Sequence, residues 1–282
     1  MARCAALVSD STSVDPGMAS RLDVVVVPLQ VVIGSSSYDE GDDASPAMVA
    51  SALRERKPVS TSRPAPERFA RVYREAADAG AEAVVSIHLS GEVSGTVESA
   101  MSAARQVGLD VIVVDSRQLG MATGFAVAAA ARALDEGAAA PNAAEVARAR
   151  ALRTTALFYV DTMEYLRRGG RVGAAAALVG SALSVKPLLK VQDGRIVQLD
   201  RVRTSTRALA RLEELAVDAA GEQEVDIAVS HLANLERATA LAERLRARVP
   251  KVSELVMTEV GAVIGAHVGP GMLGVVVSPL AR

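Results

Sequence analysis

The chain has 282 residues, of which 50% are hydrophobic and 23% charged, with 31 basic against 33 acidic side chains and a formal net charge of −2. This composition excludes a disordered chain and is sufficient for the core of one large or two modest α/β domains. The balanced charge provides no basic surface for nucleic acid or anionic lipid, and the single cysteine, Cys4, excludes an intramolecular disulfide and a zinc cluster.

The first half of the chain alternates short aliphatic runs with helix-period segments. The aliphatic runs, each ended by polar or glycine residues, predict buried strands at 5–8, 24–32, 83–89 and 111–114. Apolar residues at spacings of three and four predict helices over 66–79 and 97–107. Such alternation predicts a mostly parallel sheet with helices on both faces.

A second series of elements follows the segment 138–142, whose alanines, proline and asparagine are typical of a linker. It predicts strands at 156–160, 226–230, 255–258 and 273–277, and a short helix over 161–168 that ends at two glycines. Strands 187–191 and 195–202 flank an Asp-Gly turn and predict a β-hairpin. We place a domain break near residue 150, with an N-terminal α/β domain over 1–150 and a mixed α/β domain over 151–282.

The uncharged stretch 260–281 is the one segment that could be mistaken for a membrane helix. It contains two prolines and five glycines, which fit a loop and a short strand better than a bilayer span. No secretory signal precedes the body of the chain. We therefore expect a cytoplasmic protein.

Hydroxyl-bearing residues follow several predicted strands, where ligands of open parallel sheets bind. Those in the segment 10–16 fit helix capping, with Pro16 starting the helix. Thr61 and Ser62 precede a predicted helix, and Ser94 and Gly95 open another. A helix start offers free backbone N–H groups and the positive end of a dipole, so these residues are either caps or an anion site.

Histidines and arginines provide the other candidates. His88 and His231 fit packing or capping, whereas His267 lies among glycines that would let the backbone bend toward a ligand. Arg203 follows the hairpin and precedes a predicted helix whose dipole repels a cation, which favours an anionic partner over a plain surface role.

A further run of positive charge comprises Arg167, Arg168 and Arg171, for which a surface face is the default interpretation. The sequence contains no dinucleotide fingerprint, phosphate loop, nucleophile elbow or zinc motif. Hydroxyls, one histidine and arginines recognise an anion better than they break a bond. We therefore assign no catalytic residue and no metal ligand.

Eight segments, in this order along nearly the whole chain, resemble the DegV family, whose members include the fatty-acid-binding subunits of bacterial fatty acid kinase. They are VSDST at 8–12, TSRPAP at 61–66, LSGEVSGT at 89–96, VDS at 114–116, MEYLRRGGRV at 163–172, LSVKPLL at 183–189, RVRT at 201–204 and IGAHVGPGMLG at 264–274. The chain departs from the family's usual glutamine and serine at Arg63 and Ala65, and from its frequent serine-rich helix start at 118–121.

The resemblance implies two α/β domains with a long-chain fatty acid, such as palmitate or oleate, bound between them. It also implies the residues that surround the carboxylate, namely Thr61, Ser62, Ser94, Gly95, Arg203 and His267. Arg167 and Arg171 would dock a partner kinase or stabilise a phosphate.

The function that follows from the resemblance is a non-catalytic carrier without cofactor. It would present the carboxylate to an ATP-dependent fatty acid kinase and release acyl phosphate to an acyltransferase for phospholipid synthesis. We expect no nucleic-acid partner and at most transient membrane contact. The alternatives are a polyol kinase or phosphatase related to dihydroxyacetone kinase, with Mg²⁺ on Asp10, Asp15 or Asp115, and a lipid-sensing regulator, which no DNA-binding motif supports.

Overall fold

The computed structural model of the protein describes residues 3–172 and 186–280, so positions 183–185 of the sixth family-like segment lie outside the described residues. Strands and helices alternate along both ranges. The strands are β1 (Ala5–Asp10), β2 (Val24–Val27), β3 (Gln30–Ile33), β4 (Ser36–Asp39), β5 (Val59–Ser62), β6 (Ala83–His88), β7 (Asp110–Asp115), β8 (Thr155–Tyr159), β9 (Lys186–Gln192), β10 (Arg195–Val202), β11 (Val225–His231), β12 (Val252–Glu259) and β13 (Leu273–Pro279).

Several helices start where the sequence provides a proline or a cap. The helices are α1 (Pro16–Leu22), α2 (Pro46–Arg54), α3 (Pro66–Asp78), α4 (Thr96–Ala104), α5 (Met121–Asp135), α6 (Ala140–Arg153), α7 (Glu164–Arg168), α8 (Ser205–Ala220), α9 (Leu235–Arg248) and α10 (Ala262–Val268). Asp15 caps α1 by accepting from the backbone N–H of Met18 at 2.8 Å, directly before Pro16, as the sequence predicts. None of the helices within the described ranges combines the length and hydrophobicity needed to span a bilayer.

The N-terminal sheet is fully parallel and has the strand order β2-β1-β6-β7. Alternate strand residues point to opposite faces, so Val8 packs against α3 and α4 while its neighbour Leu7 packs against α5 and α6. Helices therefore cover both faces. The predicted parallel α/β layer is confirmed.

A small antiparallel sheet, β4-β3-β5, stands beside the parallel one, and the sequence did not predict it. The prediction of one strand over 24–32 is wrong, because β2 and β3 belong to different sheets. Pro28 lies between them and has no backbone N–H to continue a ladder. This small sheet matters for the site because its edge strand β5 carries Thr61 and Ser62.

The C-terminal sheet is mixed, with the strand order β10-β9-β8-β13-β11-β12. All its neighbouring strands are antiparallel except β11 and β12. The predicted hairpin β9-β10 is confirmed, and its turn residues Asp193 and Gly194 have φ values of 51° and 80°. Two successive left-handed residues are the signature of a type I′ turn, which suits the twist of a hairpin.

Two alanine-rich helices, α5 and α6, lie between the parallel sheet and the C-terminal sheet. Their apolar cluster includes Leu7 of the first sheet and Ala156, Ala228 and Val276 of the second. Small side chains allow the helices to approach both sheets closely. The proposed boundary at residue 150 falls inside α6 and stays a prediction.

Candidate functional site

A cavity of about 510 Å³ lies between the two sheets and is lined mostly by apolar side chains. This volume is within the ordinary range for a small-molecule site. One wall comes from β8, β13 and the hairpin, and the other comes from α10 and the starts of α4 and α5. Residues of the apolar part include Leu119, Met121, Ala156, Phe158, Val191, Ile196, Ile264, Met272 and Val276.

Thr61 and His267 meet at the polar end of this cavity, where Thr61 Oγ1 and His267 Nε2 share a hydrogen bond of 2.8 Å. Thr61 is fixed by the pairing of β5 with Val31 of β3. His267 is carried by α10, whose Val263 and Ala266 are buried against the small sheet. Packing of α10 on that sheet therefore brings together two side chains that are 206 positions apart in sequence.

His267 is neutral near pH 7. Burial, and to a smaller extent the nearby positive charge of Arg171, lower the pKa of its imidazole from 6.5 to about 4. Its Nδ1 atom is buried and has no hydrogen-bond partner among the described residues. The ring is therefore a neutral hydrogen-bonding group in the cavity lining and not a cation.

The loop after β6 supplies the opposite side of the polar end. Gly95 is the N-cap residue of α4, and Ser94 Oγ lies 2.8 Å from Thr96 Oγ1. Arg171 Nε donates to the carbonyl oxygen of Val93 at 3.1 Å, which connects the segment after α7 to this loop. Ser94, Gly95 and Arg171 all line the cavity, and Arg171 is close enough to His267 for its charge to lower the pKa of the imidazole.

Comparison with protein families identifies this architecture. The family model described as "Uncharacterised protein, DegV family" matches residues 5–280. The chain belongs to the DegV family. It is 54% identical over 279 residues to a DegV domain-containing protein of Streptomyces coelicolor, with 99% of each chain covered.

Solved DegV structures share the whole fold. A DegV family protein from Thermus thermophilus, described for its fatty acid binding, has a TM-score of 0.93 at 34% identity and covers 99% of this chain and 100% of its own. DegV from Bacillus subtilis, described as a fatty acid binding protein, has a TM-score of 0.91 at 32% identity with the same coverage. The two-domain α/β class expected from the sequence is therefore shown.

Four of the DegV-like segments contribute residues to the cavity, namely 61–66, 89–96, 163–172 and 264–274. Two details of the sequence interpretation are wrong. Thr61 and Ser62 lie on strand β5 and not at a helix start, because α3 begins only at Pro66. His267 lies on α10 and not in a bent glycine loop, because the glycines flank a short helix.

Arg203 and Arg167 are not brought to the cavity. Arg203 is exposed directly after edge strand β10, where Thr204 caps α8 by accepting from the Arg207 N–H at 3.3 Å. Arg203 is not among the described residues that line the cavity, and its role toward a carboxylate stays a prediction. Arg167 is exposed on α7, and this placement leaves only its proposed role in docking.

Glu40 is a site residue that the sequence interpretation missed. It is buried, accepts from Ser11 Oγ at 2.6 Å and accepts from the backbone N–H of Val263 at 2.7 Å, in the first turn of α10. Burial raises the pKa of its carboxyl group. Glu40 therefore holds the start of the helix that carries His267, and no sequence pattern links positions 223 residues apart.

The three carboxylates that the sequence offers as Mg²⁺ ligands all accept hydrogen bonds from other groups of the protein. Asp10 is fully buried, lies 3.1 Å from His88 Nδ1 and accepts from the Leu89 N–H at 2.9 Å. Asp15 is the cap of α1, and Asp115 accepts from the N–H groups of Gly91 and Arg117. No group of three or more potential metal ligands converges within 3–172 and 186–280.

Proposed function

We propose that this protein binds one long-chain fatty acid, such as palmitate or oleate, in the cavity between its two sheets. The observation that carries the proposal is a mostly apolar cavity with one polar end, where Thr61 and His267 share a hydrogen bond and whose lining also includes Ser94. Two relatives above 30% identity, which share the fold over their whole length, are described as fatty acid binding. The carboxylate would lie at the polar end and the tail along β8 and β13.

The two ends of the cavity would contribute unequally to binding. Burial of an acyl chain of ~15 methylenes yields about 12 kcal/mol gross, at about 0.8 kcal/mol per CH₂. Hydrogen bonds to a charged carboxylate add roughly 1.5–3 kcal/mol each. Affinity therefore comes mainly from the tail, and the hydroxyls of Thr61 and Ser94 determine which end of the ligand faces the opening.

The carrier role follows from this orientation. At the polar end, the side chains of Arg63 and Glu98 are 51% and 79% exposed, so a bound carboxylate would lie near solvent. A separate ATP-dependent fatty acid kinase would reach the carboxylate there, and the protein would carry the acyl phosphate to an acyltransferase for phospholipid synthesis. Arg171 would stabilise the added negative charge, and exposed Arg167 would contact the kinase.

Native mass spectrometry of the purified protein, followed by organic extraction and lipid identification, tests the binding step. The expected result is one long-chain fatty acid per chain, retained or taken up from added palmitate or oleate. An ATP assay with Mg²⁺ then tests the carrier step. Acyl phosphate should form only when a fatty acid kinase is added, whereas ATP turnover on a polyol by this chain alone would support the alternative enzyme and overturn the proposal.

A further inference from the structure

Arg63 lies across the solvent-facing mouth of the cavity. Its Nη1 atom donates to Glu98 Oε2 at 2.7 Å and to the carbonyl oxygen of Gly95 at 3.3 Å. A Cβ at Gly95 would lie 2.2 Å from this Nη1 atom, so the absence of a side chain there leaves the space that the guanidinium occupies. Arg63, Gly95 and Glu98 all line the cavity.

Only one of the guanidinium's three nitrogens is engaged. Both hydrogen bonds leave from Nη1, and within the described part of the chain Nε and Nη2 have no hydrogen-bond acceptor. Arginine presents its donors as a planar fork that matches the oxygens of a phosphate or a carboxylate. Arg63 therefore retains free donors beside the polar end of the cavity.

The charges of the other lining residues explain why Arg63 would matter for a negatively charged head group. His267 carries no charge near pH 7, because burial and Arg171 lower its pKa to about 4. Among the described lining residues, the arginines are Arg171 and Arg63, and the charge of Arg63 is offset by Glu98. A head group that gains negative charge would find in Arg63 a cation already placed at the mouth.

We propose that Arg63 is a head-group ligand that exchanges partners. It pairs with Glu98 when the cavity is empty and turns to the head group of a bound long-chain anion, with preference for a phosphate over a carboxylate. This inference rests on the proposed function and identifies the residue that distinguishes the charge of the bound lipid.

The exchange is favourable because the existing pair is weak and the new one is strong. An ion pair between two exposed, long side chains contributes little to stability, since water screens it and ordering the side chains costs entropy. A phosphate monoester carries a charge of about −1.5 to −2 near pH 7 and accepts two parallel hydrogen bonds from a guanidinium. The free energy lost when Arg63 leaves Glu98 is therefore smaller than the free energy gained when Arg63 binds the phosphate.

The test compares three ligands that share a 16-carbon chain, namely hexadecyl phosphate, palmitate and hexadecanol. Arg63→Gln should weaken binding of hexadecyl phosphate by about tenfold and of palmitate by about threefold, and should leave hexadecanol unchanged, because the effect scales with head-group charge. Glu98→Gln should strengthen binding of hexadecyl phosphate by about threefold. This gain should vanish in the double variant, since Glu98 acts through Arg63.

A matched control is the exposed pair of Arg71 and Glu75 on α3, 3.8 Å apart and not lining the cavity. Arg71→Gln and Glu75→Gln should leave all three affinities unchanged. Equal weakening of all three ligands by Arg63→Gln, or weaker phosphate binding in Glu98→Gln, would overturn the inference. A wild-type protein that binds none of the three ligands would contradict the proposed function itself, which separates the two failures.

Discussion

Thr61 and His267 illustrate how the polar end is set residue by residue. Neither side chain is distinctive in the sequence, and each obtains its role from a neighbour. The pairing of β5 with β3 orients Thr61. Helix α10 orients His267, and Glu40 accepts a hydrogen bond from the first turn of that helix. The result is a neutral imidazole that is hydrogen-bonded to a hydroxyl and lies near the positive charge of Arg171.

We expect removal of the two hydroxyls to disturb head-group fixation more than overall lipid binding. Thr61→Ala combined with Ser94→Ala should weaken palmitate binding by about 10- to 100-fold, because each lost hydrogen bond is partly replaced by water. Binding of hexadecanol should change little. Titration calorimetry with both ligands measures the difference, and Ser60→Ala, on the exposed side of β5, is the control. Complete loss of lipid from the double variant would contradict the assignment of most binding energy to the tail.

The depressed pKa of His267 predicts a specific loss of stability in acid. The unfolded chain protonates this histidine below about pH 6.5, whereas the folded protein resists protonation until about pH 4. Protons therefore favour the unfolded state between these values, and stability falls as the pH is lowered. Relative to His267→Gln, the free energy of unfolding of the wild type should fall more steeply by about 1.4 kcal/mol per pH unit between pH 6 and 4.5. The free energy of unfolding of both proteins is measured by urea unfolding at each pH. If it falls equally with pH in the wild type and in His267→Gln, burial does not lower the pKa of the imidazole.

Among the strands and helices, those with a regular sequence pattern could be predicted, whereas the break between two strands and a short helix could not. The strands of the parallel sheet and the hairpin follow from aliphatic runs and an Asp-Gly turn, which are local signals. The break at Pro28 was missed because a run of valines continues on both sides of it. Helix α10 was missed because its seven residues are too short for a clear period and are stabilised by Glu40 and the small sheet, which are distant in sequence.

The same limit applies to the candidate site. Ser94 and Gly95 were placed correctly at the start of α4, since a helix boundary is local. Arg203 is not among the described lining residues, because the position of the residue after a hairpin strand depends on the sheet to which that strand belongs. The pairing of Arg63 with Glu98 joins the segment after β5 to α4 across 35 positions, and sequence spacing alone gives no sign of it.

The hairpin turn connects the two halves of the protein. Ser90 Oγ donates to the carbonyl oxygen of Gly194 at 2.8 Å, and Arg117 Nη2 donates to that of Asp193 at 2.7 Å. Arg195 is also paired with Glu92, which lines the cavity. The turn thus fastens the C-terminal sheet to the loop that leads to the polar end.

Substitution of the turn glycine should loosen this connection. Gly194→Ala strains a residue with φ of 80° and places a Cβ 2.4 Å from Ser90 Oγ, so we expect a loss of about 1–3 kcal/mol in the free energy of unfolding together with faster release of palmitate. Gly80→Ala is the control, since its φ is 92° and no atom lies within 4 Å of its Cβ position. Stopped-flow release should be unchanged in Gly80→Ala. Release of palmitate from Gly194→Ala at the same unchanged rate as from Gly80→Ala would show that the turn does not hold the polar end of the cavity in place.

The parallel sheet and the C-terminal sheet share one apolar core. The helices α5 and α6 bury their alanines against both sheets, and a fragment ending near residue 150 would expose the face that normally contacts Ala156, Ala228 and Val276. Apolar surface of this extent, left in water, removes much of the driving force for folding. We therefore expect cooperative unfolding of the intact chain despite its two-domain architecture.

Arg150 provides the sharpest test of this coupling. It lies buried on α6 and donates to Asp226 Oδ2 at 2.6 Å and to Ser278 Oγ at 2.7 Å. It therefore joins α6, which lies between the two sheets, to β11 and β13. Arg150→Ala leaves Asp226 buried without its partner and should lower the free energy of unfolding by about 3–5 kcal/mol. Arg153→Ala, on the exposed side of the same helix, should change it by less than about 0.5 kcal/mol.

Urea unfolding of both variants, followed by circular dichroism and by hydrogen exchange of the two sheets, measures the effect and its cooperativity. Because α6 belongs to both layers, the destabilisation in Arg150→Ala should appear equally in the parallel sheet and in the C-terminal sheet, with one transition midpoint. Loss of protection confined to the C-terminal sheet would show that the layers unfold independently. In that case a boundary at residue 150 would separate two autonomous domains, and the cavity between them would depend on a weaker interface than the shared core implies.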